Sequence, residues 1–316
     1  MQRVRTLFSR FGFAQLAGAA AVMLISLMLA PLVTPEALEK LFSSVGPSLL
    51  LLLSYVPNIV FLIVFWMLIR KIPKSEWQKE PLSFGALLKI FVMMYAVSSL
   101  FNLIGTAISR AAPAGGTQQL DLIEKVVNTK LLVGFLIPAV IGPVVEELIF
   151  RKLMIDRLHN YGETTVIVFT ALCFGLFHGN LTQFMYATSV GLFLGYVYCK
   201  TGKVINTIIM HILLNTLSSM MLLLAPMMQG GLEDGAMLVF VVAGLLLLVG
   251  LMFVTGIILI IRHLKRRDIV LDNSTSDAIP KDEILKTVYR NPGVALLFIY
   301  SMAGVLIDLF KIPMPF

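Results

Sequence analysis

Long apolar runs, separated by short polar connections, dominate this sequence of 316 residues. A helix needs about 20 apolar residues to cross the hydrocarbon core of a bilayer. Nine runs approach or exceed that length, and each predicts a membrane span. In chain order the predicted spans are 11–33, 46–69, 84–108, 131–155, 162–179, 181–199, 203–225, 236–262 and 292–310. The pattern therefore predicts an all-α, polytopic transmembrane helix bundle.

Three details of the pattern refine this prediction. The runs 162–179 and 181–199 are so close that they predict a tight helical hairpin. The last run contains Asp308, a charge that disfavours a lipid-exposed span, so the bundle has eight or nine spans. The first run follows several arginines, like a signal peptide, but it is longer than the apolar part of one. We therefore predict an uncleaved first span.

The composition supports a membrane location for the whole chain. Hydrophobic residues make up 58% of the sequence and charged residues only 14%, which is too few to cover the surface of a soluble protein of this size. We predict a single membrane domain in three parts. Residues 1–130 hold three N-terminal spans, 131–225 form a core of four spans, and 226–316 hold the C-terminal spans with a solvated cytoplasmic loop at 265–291.

The formal net charge of +7 at pH 7 first raises the question of nucleic-acid binding. The basic residues cluster between the apolar runs, as they do beside membranes, and this argues against a nucleic-acid partner. A cytoplasmic N-terminus places most of the 25 Lys and Arg residues on the cytoplasmic side. With its compact loops, the chain is predicted to be a multi-pass protein of a bacterial inner membrane.

Ionisable side chains are costly inside a membrane, so those within the apolar runs are candidates for function. They concentrate in the fourth, fifth and seventh runs. Each of these runs carries a short motif at helical spacing, namely Glu146-Glu147 with Arg151, Phe174 with His178, and His211 with Asn215.

Helical geometry suggests how these side chains divide their roles. Residues four apart share a face, so Glu147 and Arg151 are predicted to form an ion pair. Glu146 lies about 100° around the helix from Glu147, so its side chain remains available for other contacts. If the chain turns near Tyr161 and the two helices run antiparallel, His178 and Glu146 lie within about 3 Å of each other along the helix axis. We therefore predict a site inside the bundle, open towards the cytoplasm.

Two chemistries fit these residue types, and the residues alone do not choose between them. In the first, Glu146 with His178 activates a water molecule, while His211 with Asn215 stabilises an oxyanion, as peptide hydrolysis requires. In the second, Glu146, His178 and His211 are the three ligands of a zinc ion that keeps an open position.

The three motifs, in this order and on successive apolar helices, resemble those of the CPBP (CAAX protease and bacteriocin-processing, or Abi) family of intramembrane proteases. This family includes the type II CAAX prenyl endopeptidases. The resemblance covers about residues 131–225 and implies an all-helical fold with the active site inside the bundle. It also implies a membrane-bound or lipidated protein or peptide as substrate.

The resemblance implies a role for each motif residue. Glu146 and His178 would activate water, His211 and Asn215 would hold the oxyanion, and Glu147 with Arg151 would support the geometry. We favour a glutamate mechanism without a cofactor, and zinc bound by the ligand set above is the alternative. The sequence contains no HExxH motif, no GxSxG motif and no pair of intramembrane aspartates, which argues against other protease classes.

Two functions outside proteolysis are alternatives for these residues. Intramembrane Glu and His residues can serve a transporter or a proton relay, but the sequence has no repeated halves. A non-catalytic scaffold that regulates a membrane partner such as a sensor kinase is the other alternative.

Overall fold

The computed structural model describes residues 1–32, 55–112, 137–229, 236–267 and 269–311, and in these ranges it contains helices and connections but no strand. The all-α prediction is therefore confirmed. We number the main helices in chain order. They are α1 Gln2–Leu29, α2 Val56–Ile69, α3 Phe84–Ala111, α4 Gly142–Glu147, α5 Glu163–Leu176, α6 Leu181–Thr201, α7 Val204–Gln229, α8 Ala236–Arg266 and α9 Pro292–Phe310.

The helical stretch that contains α4 is irregular on both sides. A π-helical turn, Ile137–Ile141, precedes α4, and a second one, Leu148–Ile155, follows it. Pro143 lies in the first turn of α4 and has no N–H to donate, so the backbone hydrogen-bond ladder is interrupted there. Such π turns occur frequently at functional sites. Here they flank the two adjacent glutamates.

The chain is an integral membrane protein. Four of the described helices, α1, α3, α8 and α9, are long and apolar enough to cross a membrane, and shorter apolar helices accompany them. Only 6% of the apolar window of α8 is buried inside the protein, so this helix presents nearly all of its side chains to the surroundings. A surface so rich in exposed apolar side chains requires lipid around it.

Aromatic side chains fill the core between the N-terminal helix and the motif-bearing helices. Phe8 of α1 packs edge-on against Phe169 of α5, with ring centroids 5.0 Å apart. Further along, Phe150 contacts Phe174 at 5.2 Å and Phe177 at 5.5 Å. These rings lie beside the second and third motifs and fix their helices against each other.

The predicted hairpin is formed by α5 and α6, whose backbones approach closely. A Cβ atom added at Gly191 would lie 2.8 Å from the Cα atom of Ala171. Asn180 begins α6, and its side chain accepts a hydrogen bond from the backbone N–H of Gln183. Small residues at such positions let membrane helices pack tightly, and here they hold the end of α5 in place.

We predict that Gly191→Ile lowers the thermal stability of the detergent-solubilised protein by several degrees. The added side chain cannot fit against Ala171 without separating α5 from α6. Gly244→Ile is the matched control, because nothing lies within 4 Å of a Cβ atom there. Equal melting temperatures for the two variants would contradict this account of the packing.

The segment between α8 and α9, predicted as a solvated loop at 265–291, is mostly exposed and is also hydrogen-bonded to the bundle. Asp272 makes two bonds with the start of α5: Glu163 N–H donates to its carbonyl, and its own N–H donates to the Glu163 side chain at Oε2, 2.7 Å away. Ile279 N–H donates to the carbonyl of Tyr161. The Ser274 hydroxyl and N–H donate to the Asp272 carboxylate and hold its pKa below the ordinary value. The segment is therefore docked on the bundle.

Candidate active site

The two adjacent glutamates occupy different environments. Glu146 and Glu147 end α4, immediately before the second π turn. The Glu147 side chain is fully buried, whereas the Glu146 side chain keeps 13% of its exposure. The separation expected from helical geometry is therefore present, with one carboxylate sealed in the core and the other reaching an accessible space.

Glu147 and Arg151 form the predicted ion pair, with 3.1 Å between Arg151 Nε and Glu147 Oε2. The Arg151 side chain is only 1% exposed, and its guanidinium lies over the face of the Phe174 ring, 4.7 Å from the centroid. Its Nη1 and Nη2 groups have no hydrogen-bond acceptor in the described part of the chain. The carboxylate and the ring face therefore supply the stabilisation of this buried cation.

His211 lies between the two glutamates. Its Nδ1 atom is 2.9 Å from Glu147 Oε1, a hydrogen bond in which the ring N–H donates to the carboxylate. Its Nε2 atom is 3.7 Å from Glu146 Oε2. A carboxylate on Nδ1 fixes the orientation of the imidazole, so that Nε2 points towards Glu146.

His178 lies at the C-terminal end of α5 and is half-buried. Its Nδ1 atom is 2.9 Å from the carbonyl oxygen of Phe174, so the ring N–H donates to the backbone and Nε2 remains available. The Phe174 ring contacts both His178 and His211 edge-on, at centroid distances of 5.1 and 5.7 Å. The aromatic residue of the second motif therefore separates the two histidines and supports both.

The histidine ring that lies within 4 Å of Glu146 is that of His211. The pairing of Glu146 with His178 stays a prediction. The depth comparison behind it assumed a regular α-helix from Glu146 to the turn at Tyr161, whereas Leu148–Ile155 is π-helical. A π turn closes i→i+5 hydrogen bonds, so it changes the rotation and the rise of the residues that follow.

The third motif lies on one face of α7. Asn215 is one turn beyond His211 and half-buried. Thr207 is one turn before His211, is fully buried, and lies beside Glu147. Thr207 was missed in the sequence, although its four-residue spacing from His211 could have identified it.

Two tyrosines that the motifs did not include also border Glu146. Tyr55, at the start of α2, lies within electrostatic reach of Glu146. It also packs on Gly142, which is one helical turn before Glu146 in α4. Tyr186 of α6 is also within electrostatic reach of Glu146 and hydrogen-bonds to Ser218. Their phenol groups supply hydrogen-bonding capacity around the accessible carboxylate. Nothing in the spacing of the sequence relates either residue to Glu146.

The zinc ligand set considered for this site was Glu146, His178 and His211. In the ranges that the structure describes, no three His, Cys, Asp or Glu side chains lie close enough together to hold one metal ion. In both histidines Nδ1 is held by an oxygen atom, from Glu147 in His211 and from the Phe174 carbonyl in His178, and Nε2 is left for another contact. Zinc-binding histidines are held in the same way, so the glutamate and zinc chemistries both stay predictions.

The part of the chain that carries this site is similar to known membrane proteases. Residues 128–217, which include all three motifs, match the family described as Type II CAAX prenyl endopeptidase Rce1-like. A Bacillus subtilis (strain 168) protein named "Putative membrane peptidase YdiL" is 25% identical over 174 residues, covering 52% of this chain and 68% of that protein. No solved structure matches the chain. The resemblance to the CPBP family is confirmed.

Proposed function

We propose that this membrane protein, which resembles the CPBP family over its motif-bearing helices, is an intramembrane endopeptidase that uses Glu146 as its base. The observation that carries the proposal is the position of His211. One ring nitrogen is held by the buried Glu147, and the other faces the accessible Glu146 across 3.7 Å. A general base and an oriented hydrogen-bond donor thus border one space, which is what hydrolysis of an acyl bond requires.

In the proposed reaction, Glu146 takes a proton from a water molecule as the water oxygen attacks the carbonyl carbon of the peptide bond. The carbonyl π electrons move to its oxygen, and the oxyanion accepts hydrogen bonds from His211 Nε2–H and the Asn215 amide. The oxyanion electrons then restore the C=O bond as the C–N bond breaks and the amide nitrogen receives the proton from Glu146. The products are a carboxylic acid and an amine.

The remaining motif residues take positioning roles in this proposal. His178 presents Nε2 towards the site, because its Nδ1–H donates to the Phe174 carbonyl, and it orients the water molecule together with Glu146. Glu147 holds His211 in orientation, and Arg151 compensates the buried charge of Glu147. Sealing both groups away from solvent keeps their geometry fixed during the reaction.

The proposed substrate is a protein or peptide that is itself associated with the membrane. The candidate site lies in the helical bundle of an integral membrane protein, so a substrate held in or on the bilayer reaches it with little loss of entropy. The family resemblance supports a lipidated, CAAX-like protein or a bacteriocin-type peptide. We propose a bacterial inner-membrane location with the N-terminus in the cytoplasm, from the distribution of Lys and Arg.

The test is cleavage of a library of membrane-associated peptides by the purified protein, with and without a chelator and with metal analysis. We expect cleavage that is insensitive to chelation, and a rate about 10²–10³-fold lower in His211→Ala, because an oxyanion donor is lost. His263→Ala, a change at the end of α8, is the matched control and is expected to keep the rate.

Three results would overturn parts of the proposal. Chelator-sensitive cleavage with stoichiometric zinc would replace the glutamate mechanism by the zinc mechanism. An unchanged rate in His211→Ala would remove His211 from the site. Absence of cleavage of every peptide would favour the non-catalytic scaffold that binds a membrane partner such as a sensor kinase.

A further inference from the structure

A second concave site lies on the face of the bundle that carries the N-terminus of α1. It is a pocket of about 450 Å³ between the first turns of α1, the connection that follows α2, and the turn that precedes α5. Positive side chains from all three segments line it, namely Arg3, Arg10, Lys71, Lys74 and Arg157. None of the motif residues lines the pocket, and it plays no part in the proposed hydrolysis.

The positive charge of this pocket is poorly compensated. Among the described residues that line it, none is Asp or Glu. Two carboxylates lie within electrostatic reach of lining residues, Asp156 of Arg157 and Asp277 of Tyr161. Asp156 already bonds to Lys152 at 2.9 Å and accepts a hydrogen bond from the Tyr198 hydroxyl. Lys74 reaches the same carboxylate only at 4.0 Å, and its side chain is 61% exposed. Cations gathered in a concavity repel one another, and a bound anion relieves that repulsion.

One of the cations is fixed in place before any ligand arrives. Arg157 is 5% exposed, and it donates from Nε to the carbonyl of Ile69 at 3.2 Å and from Nη1 to that of Leu153 at 3.0 Å. Both partners are neutral carbonyl groups, which orient the guanidinium without cancelling its charge. A guanidinium ordered in this way is suited to bind the oxygens of a phosphate group.

The surroundings of the pocket match the headgroup region of a membrane. Besides the cations, its wall contains neutral polar groups and an apolar strip of Leu7, Ile72 and Pro73. It lies where α1 and α2 emerge at the face predicted to be cytoplasmic, and α1 directs the positive end of its helix dipole to this side. Basic pockets between membrane helices at such a surface are suited to anionic headgroups.

From these observations we propose that the pocket binds a phosphate-bearing anion, and that its occupant is an anionic phospholipid of the surrounding leaflet. The five cations meet the phosphate and the apolar strip meets the start of the acyl chains. A zwitterionic headgroup is disfavoured, because its ammonium group would have to enter the same positive pocket.

The experiment counts the lipids that the purified full-length protein retains, by native mass spectrometry after exchange out of mixed phosphatidylglycerol and phosphatidylcholine bilayers. We expect preferential retention of phosphatidylglycerol. Arg10→Gln combined with Lys71→Gln is expected to lower that retention by roughly twentyfold, since each basic residue near an anionic membrane contributes about a fivefold effect. The charge-retaining pair Arg10→Lys with Lys71→Arg is expected to keep it.

Arg262→Gln combined with Lys265→Gln is the matched control, because it removes two charges at the end of α8, outside the pocket. Equal losses in the pocket and control variants, or no preference over phosphatidylcholine, would overturn the proposal.

Soluble glycerol phosphate and inorganic phosphate are added as competitors. If either displaces the lipid at a concentration similar to that of the lipid, the occupant is a free phosphate anion and the lipid assignment is wrong. Melting temperatures of all variants verify that they are folded.

Discussion

Replacing Glu146 by glutamine is expected to lower the rate of peptide hydrolysis by about 10²–10⁴-fold while leaving the protein folded. Glutamine has nearly the same shape as glutamate, but its amide cannot accept the proton of the attacking water. The structure gives a reason for the fold to survive. Glu146 is partly accessible, and its neighbour His211 keeps its hydrogen bond to Glu147 when the Glu146 charge is removed.

This prediction is measured as the single-turnover cleavage rate, together with the melting temperature in the same detergent. Glu80→Gln is the matched control, because Glu80 is an exposed carboxylate on the connection before α3. Its rate and melting temperature are expected to equal those of the wild type. A Glu146→Gln protein that melts normally and still cleaves at the wild-type rate would remove Glu146 from the chemistry.

The helices themselves could be predicted from the sequence because lipid imposes a local rule. Each membrane-spanning helix must be apolar over its own length, whatever it packs against, so hydropathy indicates where such a helix lies. The predicted span 84–108, for example, corresponds to the helix Phe84–Ala111. The hairpin of α5 and α6 followed from the short connection between two runs, and the Glu147–Arg151 pair followed from four-residue spacing.

The contacts between helices could not be predicted in the same way, since they depend on irregular backbone. Glu147 had a sufficient partner in Arg151, so nothing in the sequence pointed to its second bond with His211. The depth comparison that paired Glu146 with His178 assumed regular helical rise through Leu148–Ile155, which is π-helical. The position of His211 between the two glutamates therefore could not be derived from helical periodicity.

The connection between α8 and α9 shows another limit of the sequence. Its many charged residues predict a solvated loop, and most of its described side chains are exposed, but composition does not indicate where such a loop attaches to the bundle. The docking relies instead on specific backbone groups, such as the N–H of Asp272 and the carbonyl of Tyr161, which every sequence possesses. Hydrogen bonds of this kind become visible only in three dimensions.

Removing one partner of the buried ion pair is expected to have the largest effect on stability. Glu147→Leu leaves the Arg151 guanidinium without its carboxylate, and Arg151→Met leaves the Glu147 carboxylate without its cation. Breaking a buried pair in this way costs about 3–5 kcal/mol. Lys286→Met, at an exposed position before α9, is the control, and its loss is expected to cost less than about 1 kcal/mol.

The double variant Glu147→Leu with Arg151→Met separates stability from function. It removes both charges, so it is expected to recover most of the melting temperature that each single change loses. Its cleavage rate should nevertheless stay low, because His211 Nδ1 has lost the carboxylate that orients the ring. Thermal melting and single-turnover cleavage of all three variants test this. A double variant that is stable and fully active would show that Glu147 holds Arg151 but does not position His211.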